Sequence, residues 1–214
     1  IDLRKKDFSR DELIRLLSTP MEDVQELFDT ALAIKKENLG DEVYFRGLLE
    51  FSNICAKNCY YCGVRCGRKN LHRYEITDDE VREAARFAVE NNFASMVIQA
   101  GERTNMAFVD RITRALDIIM EESGNNMAVT LSLGEQTEDT FKKWRDHGAS
   151  RYLLRIESSN RELYEKIHPI DDLHAYERRI EGLELLRKTG YQVGTGVMIG
   201  LPFQTIEDLA DDLL

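Results

Sequence analysis

The chain is poor in residues that break or decorate structure. Only three of its 214 residues are proline, and no stretch is of low complexity, which argues against disordered linkers. No apolar run approaches the ~20 residues that a bilayer-spanning helix needs. No signal-peptide pattern opens the chain. A basic excess is missing too: 29 Lys and Arg stand against 39 Asp and Glu, a formal net charge of −10. A general nucleic-acid binder normally shows a basic face, so that class is disfavoured. Cysteine is scarce, at four residues. Three of the four crowd one short segment, so they do not read as a disulfide framework. The expectation is a protein of the reducing cytoplasm that binds neither nucleic acid nor membrane. Its length suits one large domain or two small ones.

What the chain does carry is Cys55-Ala-Lys-Asn-Cys59-Tyr-Tyr-Cys62. Three thiolates spaced C-x3-C-x2-C on one loop can hold three irons of a cubane [4Fe–4S] cluster. The fourth iron then stays open. Clusters that only carry electrons normally have four cysteine ligands, whereas an open position is the mark of a catalytic metal site. The competing reading is structural zinc, with Cys66 as a fourth thiolate. Structural zinc usually draws on two separated ligand pairs, which disfavours it. His72, His147, His168 and His174 share no spacing and read as surface or packing residues.

The first 40 residues read as helical. Ser9 with Glu12 forms a capping box, and Thr19-Pro20-Met21-Glu22 reads as a second with Pro at N1. Val24, Leu27, Phe28, Ala31 and Ile34 recur at helical spacing and read as a packing stripe. From Val43 the pattern becomes strand, loop, helix, repeated. Strands are predicted near 43–52, 95–100, 128–133, 151–156 and 192–199. Helices between them open on Thr77–Glu80, Thr137, Ser159–Glu162 and Thr205–Asp208, and one near 173–189 stops at Gly190. Alternation of this kind indicates parallel βα units.

The unusual residues follow the strands. Asn53 and the cysteines follow the first, Gly101-Glu102 the second and Gly134-Glu135 the third. Glu157-Ser158 end the fourth, and Gly200-Leu-Pro202 follow the fifth. In a (β/α) barrel those loops meet at one face, where active sites sit. A doubly wound sheet gathers fewer of them, near its switch point. The predicted fold is therefore α/β: a TIM-type barrel at 41–214 behind a helical leader at 1–40. About five βα units fall short of the eight in a closed barrel. With Ile1 at the start and an apolar helix stripe at Leu213-Leu214, the chain reads as a fragment.

The cysteine run, with Tyr61 before its last member, resembles the radical S-adenosylmethionine (SAM) signature. Phe51-Ser-Asn-Ile-Cys55 through Tyr61-Cys62-Gly63-Val-Arg65, Thr130-Leu-Ser-Leu-Gly134-Glu135, Arg151-Tyr-Leu-Leu-Arg155-Ile-Glu157 and Gly200-Leu-Pro202 with Gln204-Thr205 together resemble the HydE-type maturases of [FeFe]-hydrogenase, within the biotin-synthase-like group. The resemblance implies a [4Fe–4S] cluster on Cys55, Cys59 and Cys62, with SAM on the open iron. It implies Gly101 and Glu102 at the SAM ammonium, Arg179 at its carboxylate, Glu157 at the ribose hydroxyls, and Tyr61 with the 197–201 backbone near the adenine. Thr130, Ser132, Arg151 and Arg155 are implied as substrate residues. Arg151 and Arg155 lie four apart on a predicted strand, so both should project to one side and suit a small anionic, cysteine-derived substrate.

The implied chemistry is reductive cleavage of SAM to methionine and a 5′-deoxyadenosyl radical, fed by an external one-electron reductant. The implied role is maturation of the hydrogenase active site beside other maturases. Methylornithine synthase or another biotin-synthase-like enzyme is the alternative. A non-catalytic zinc or iron–sulfur scaffold is a more remote one. The chain departs from the family pattern at Ala100, before Gly-Glu, and at Phe203, after Leu-Pro. Residues His168 to Tyr176 read as a short insertion.

Overall fold

The computed structural model describes residues 1–214. Five strands form one sheet in the order β1-β2-β3-β4-β5: Gly47–Ser52, Ser95–Ala100, Ala128–Ser132, Ala149–Leu153 and Gln192–Gly194. Every neighbouring pair is parallel. A strictly sequential parallel order has no switch point, so the sheet is a partial (β/α) barrel and not a doubly wound sheet. Eight helices accompany it: α1 Arg10–Leu17, α2 Gln25–Leu39, α3 Asp78–Glu90, α4 Met106–Glu122, α5 Glu138–Asp146, α6 Arg161–Ile167, α7 Tyr176–Lys188 and α8 Ile206–Leu213. No helix is long and apolar enough to cross a membrane.

The chain divides into two compact units. One comprises 1–43, 158–163 and 197–214; the other comprises 44–157 and 164–196. The larger unit contains the whole sheet. Period-two alternation along each strand sends Met96, Ile98, Val129, Leu131 and Tyr152 into the core against the helices. α4 meets them with Phe108, Ile112, Leu116 and Ile119, spaced at helical intervals. Two buried aromatic tips reach backbone acceptors: Trp144 Nε1 donates to the Val109 carbonyl at 3.2 Å, and Tyr191 Oη to that of Phe141 at 2.7 Å. The opposite alternation leaves Val97, Gln99, Thr130, Ser132 and Arg151 on the other face, and register pairs Val97 with Thr130 and Thr130 with Arg151.

In the smaller unit, α1 carries the expected Ser9/Glu12 capping box, and Arg10 grips Asp211 of α8 with two hydrogen bonds of 2.5 and 2.9 Å. Three local expectations fail there. Thr19–Glu22 caps nothing: residues 21–24 are turns, and α2 starts at Gln25 with no side-chain cap. The α2 stripe is not buried, and Phe28 is 54% exposed. Ser159 does not cap α6 either, because it bonds Asp212; Asn160 Oδ1 accepts from Glu162 and Leu163 instead. In the larger unit β4 runs 149–153, earlier than expected, and its continuation to Glu157 is held by single bonds to Gly194, Thr195 and Gly196.

Candidate functional site

The segment after β1 is pinned before it reaches the cysteines. Asn53 Oδ1 accepts from the Tyr74 amide and its Nδ2 donates to the His72 carbonyl. Arg73 donates to the carbonyls of Asn53, Val64, Arg65 and Arg68, stapling the far side of the loop. The Ala56 amide bonds the Glu102 carbonyl at 2.9 Å, joining the cysteine loop to the end of β2. Gly101 is required by that approach: a Cβ there would lie 2.4 Å from the Ile54 carbonyl and 2.7 Å from Cys55 Cβ.

Cys55, Cys59, Cys62 and Cys66 are all free thiols. Burial pushes the Cys55 thiol up and the Cys59 thiol to about 11. Such thiols stay protonated until a metal displaces the proton. No three His, Cys, Asp or Glu side chains converge on one ion position. A cubane would spread its three thiolates over three irons.

One cleft at the strand ends brings most of the expected residues together, though not Cys59, which is buried beside it in the loop. It is lined by Cys55, Tyr61 and Cys62 from the loop, Gly101 and Glu102 after β2, Ser132 at the end of β3 and Gly134 after it, Arg155 and Glu157 after β4, and Arg179 from α7. Thr130 and Arg151 line a neighbouring pocket with Arg46 and Gln192; Leu153 borders both. The four expected substrate residues are thus split between two pockets. Arg155 lies beyond the end of β4 with its side chain 54% exposed, so the two arginines are not a buried strand pair. Arg151 donates to Gln192 at 2.7 Å on an exposed edge.

Beneath the cleft lies a set of buried charges that the motif pattern did not reveal. Lys57, from inside the cysteine loop, places Nζ 2.8 Å from Glu135 Oε2 and 3.2 Å from Glu102 Oε1. Arg179 Nε donates to Glu135 Oε1 at 2.6 Å, and its Nη1 donates to the Arg155 carbonyl. Lys57, Glu102, Glu135 and Arg179 are all less than 8% exposed. Burial of two cations with two carboxylates is tolerable because each is paired. Glu135 is held below the usual carboxylate range, because Lys57 and Arg179 together outweigh the burial that opposes them. Burial instead pushes Glu102 up, despite Lys57. Gly134, at φ +77°, lets Glu102 pass: a Cβ would sit 2.1 Å from its Oε2.

Glu157 Oε2 is buried at this cleft with no hydrogen-bond partner, and Glu102 Oε1 has only its ion pair with Lys57. Glu157 sits at φ +68°, in the left-handed region that a glutamate rarely adopts, and burial raises it above the usual range. Its contact with Arg155, at 3.4 Å, leaves that oxygen free. Unsatisfied buried acceptors in a polar cleft point to donors on a ligand. Arg179, not Arg178, is the arginine that lines the cleft; both bond Glu135.

With this geometry in view, the Radical SAM superfamily model matches residues 49–214. The chain belongs to the radical SAM superfamily. The [FeFe] hydrogenase maturase subunit HydE of Thermotoga maritima is 43% identical over 99% of this chain and 59% of that protein. A biotin synthase of Staphylococcus haemolyticus is 26% identical over 98% of the chain and 64% of its own length. Among solved structures, a methylornithine synthase superposes with TM-score 0.88 at 24% identity, covering 99% of this chain and 61% of that one, and shows the fold alone. The HydG maturase of [FeFe]-hydrogenase superposes with TM-score 0.83 at 27% identity, covering 96% and 46%. The chain spans about three-fifths of the length of the curated relatives it matches.

A radical SAM protein implies a [4Fe–4S] cluster and SAM, and the residues present fit both. The three thiols of the C-x3-C-x2-C run are free on one loop, and Glu102 Oε1, held only by Lys57, and the unpartnered Glu157 Oε2 suit the ammonium and hydroxyl donors of SAM. Motif reading gave no role to Lys57 or to Glu135, whose pairing depends on tertiary placement, nor to His168 and His174, which are 1% and 4% exposed.

Replacing Lys57 with Met strands Glu102, since Glu135 keeps Arg178 and Arg179, and we expect a loss of about 3–5 kcal/mol in urea unfolding; K57M/E102Q should recover part of it. His168 is pushed down to about 4 by burial. The unfolded chain binds that proton nearer 6.5. Stability should therefore fall as pH drops from about 6.5 towards 4. Between pH 7 and 5 the wild type should lose up to about 2 kcal/mol more than His168→Gln; an equal loss would contradict this origin.

Proposed function

We propose that this chain forms the SAM-cleaving core of a radical SAM enzyme that acts in maturation of the [FeFe]-hydrogenase active site. The observation that carries the reading is the single cleft in which Cys55, Cys62 and Tyr61 face Glu102, Glu157 and Arg179. The 43% identity to a HydE subunit across 99% of the chain favours the maturase branch.

In this reading Cys55, Cys59 and Cys62, the three cysteines of the C-x3-C-x2-C run, hold the cluster, and Cys66, outside that run, holds none of it. When bound, the cluster and SAM together supply one-electron cleavage of the sulfonium, yielding a 5′-deoxyadenosyl radical. The chain's own residues bind and orient. Glu102 Oε1 accepts the SAM ammonium, and Glu157 Oε2 accepts the ribose hydroxyls. Arg179, fixed by Glu135, offers its guanidinium to the carboxylate. Tyr61 borders the adenine. Ser132 and Arg155 continue the cleft towards Thr130 and Arg151, where a small anionic, cysteine-derived substrate binds. Its partners are an external one-electron reductant and the other hydrogenase maturases, in the cytoplasm.

Anaerobic reconstitution with iron and sulfide, followed by SAM and dithionite, should release 5′-deoxyadenosine. Cys55→Ser, Cys59→Ser and Cys62→Ser should each abolish release and cluster absorption, and Cys66→Ser should keep both. Glu102→Gln should keep the cluster but weaken SAM binding at least tenfold, on the order of the 1.5–3 kcal/mol of a charged hydrogen bond. Retention of a full cluster by Cys59→Ser would remove the reading.

A further inference from the structure

The cysteine loop is held from its second side by a segment that carries no ligand. Between Ile167 and His174 the chain supplies three bonds to the loop. The Tyr60 amide donates to the Ile167 carbonyl at 3.0 Å. Tyr61 Oη meets His168 Nε2 at 3.2 Å. The Asn58 amide, between Cys55 and Cys59, donates to His174 Nε2 at 2.9 Å. Each histidine is set by its other nitrogen. His168 Nδ1 lies 2.8 Å from the Tyr164 carbonyl, which can only accept, so Nδ1 carries the proton. His174 Nδ1 lies 2.6 Å from Asp171 Oδ1, which also accepts the His174 amide at 3.0 Å. His174 is therefore the Nδ1–H tautomer, with Nε2 free to accept from Asn58. The Asn58 side chain is engaged as well: its Oδ1 accepts the Gly67 amide at 3.1 Å.

We infer that His174, oriented by Asp171, is a positioning residue that fixes the backbone between Cys55 and Cys59. The inference rests on the reading that these cysteines hold the cluster. Its physical content is narrower. A backbone amide in a cluster loop either turns outward to the protein or stays available to the cluster sulfurs, whose hydrogen bonds tune the site. Asn58 is committed outward by an acceptor that no neighbouring backbone group replaces. An imidazole 4% exposed, with both ring nitrogens bonded, holds that commitment rigidly. The stack of His168 on Tyr164, with centroids 4.0 Å apart, stiffens the neighbouring anchor in the same way. Residues 168–176, which sequence reading marks only as an insertion, thus become the outer half of the loop's support.

The test compares wild type, His174→Leu, which keeps the bulk but removes the acceptor, and His174→Gln, which restores one. Each full chain is reconstituted anaerobically, and amide hydrogen exchange at Asn58 is read together with the electron paramagnetic resonance signal of the reduced cluster. H174L should exchange Asn58 at least about tenfold faster, the factor of one lost hydrogen bond, and its resonance signal should shift. H174Q should follow the wild type in both. Leu and Gln variants that match each other in exchange and spectrum would overturn the inference. If H174L does not fold, Asp171→Ala must speed Asn58 exchange relative to wild type, and an unchanged rate overturns the inference equally. A wild type that takes up no cluster would sink the iron–sulfur reading, while the exchange contrast, read on the metal-free chain, still decides the role of His174.

Discussion

The ammonium of Lys57, buried between Glu135 and Glu102, is the interaction on which the rest of the site depends. Lys57 belongs to the cysteine loop, Glu102 to the end of β2, Glu135 to the end of β3. Arg179 closes the set from α7 through Glu135. Four segments far apart in the chain are thereby tied at one end of the sheet. None of these charges could be buried alone, since an unpaired one costs several kcal/mol. Their pairing makes the geometry of the strand ends self-consistent, and it brings Glu102 to the cleft.

Close backbone approach is the second constraint. Gly101 lets the cysteine loop lie against β2, and Gly134 lets Glu102 pass under β3. Glu157 pays for its place differently, with a positive φ and an unpartnered oxygen. Strain and unsatisfied acceptors concentrated at the ends of parallel strands are the pattern of a binding face, where the fold stores cost that a ligand relieves.

Much of the fold was legible in the sequence because its determinants are local. The capping boxes at Ser9, Thr77 and Thr205 formed as read, and β2 and β3 lie where their apolar runs place them. Thr19–Glu22 misled because a box motif competes with a proline-led turn, and Ser159 because Asp212 captured its hydroxyl. Cys55, Glu102, Glu157 and Arg179 were legible from motif order and share one cleft. The split of Arg151 from Arg155 was not, since it follows from where β4 ends. Lys57, Glu135, His168 and His174 have meaning only once loop, sheet and α6 are brought together, and spacing in one dimension carries no trace of that.

The most direct measurement is SAM binding to the anaerobically prepared chain, by titration calorimetry with and without the cluster. If the cleft is built as argued, the cluster-loaded protein binds SAM stoichiometrically and the metal-free protein binds it far more weakly, because half of the site is the open iron. Equal affinity in both forms, or no binding to the loaded form, would contradict the account.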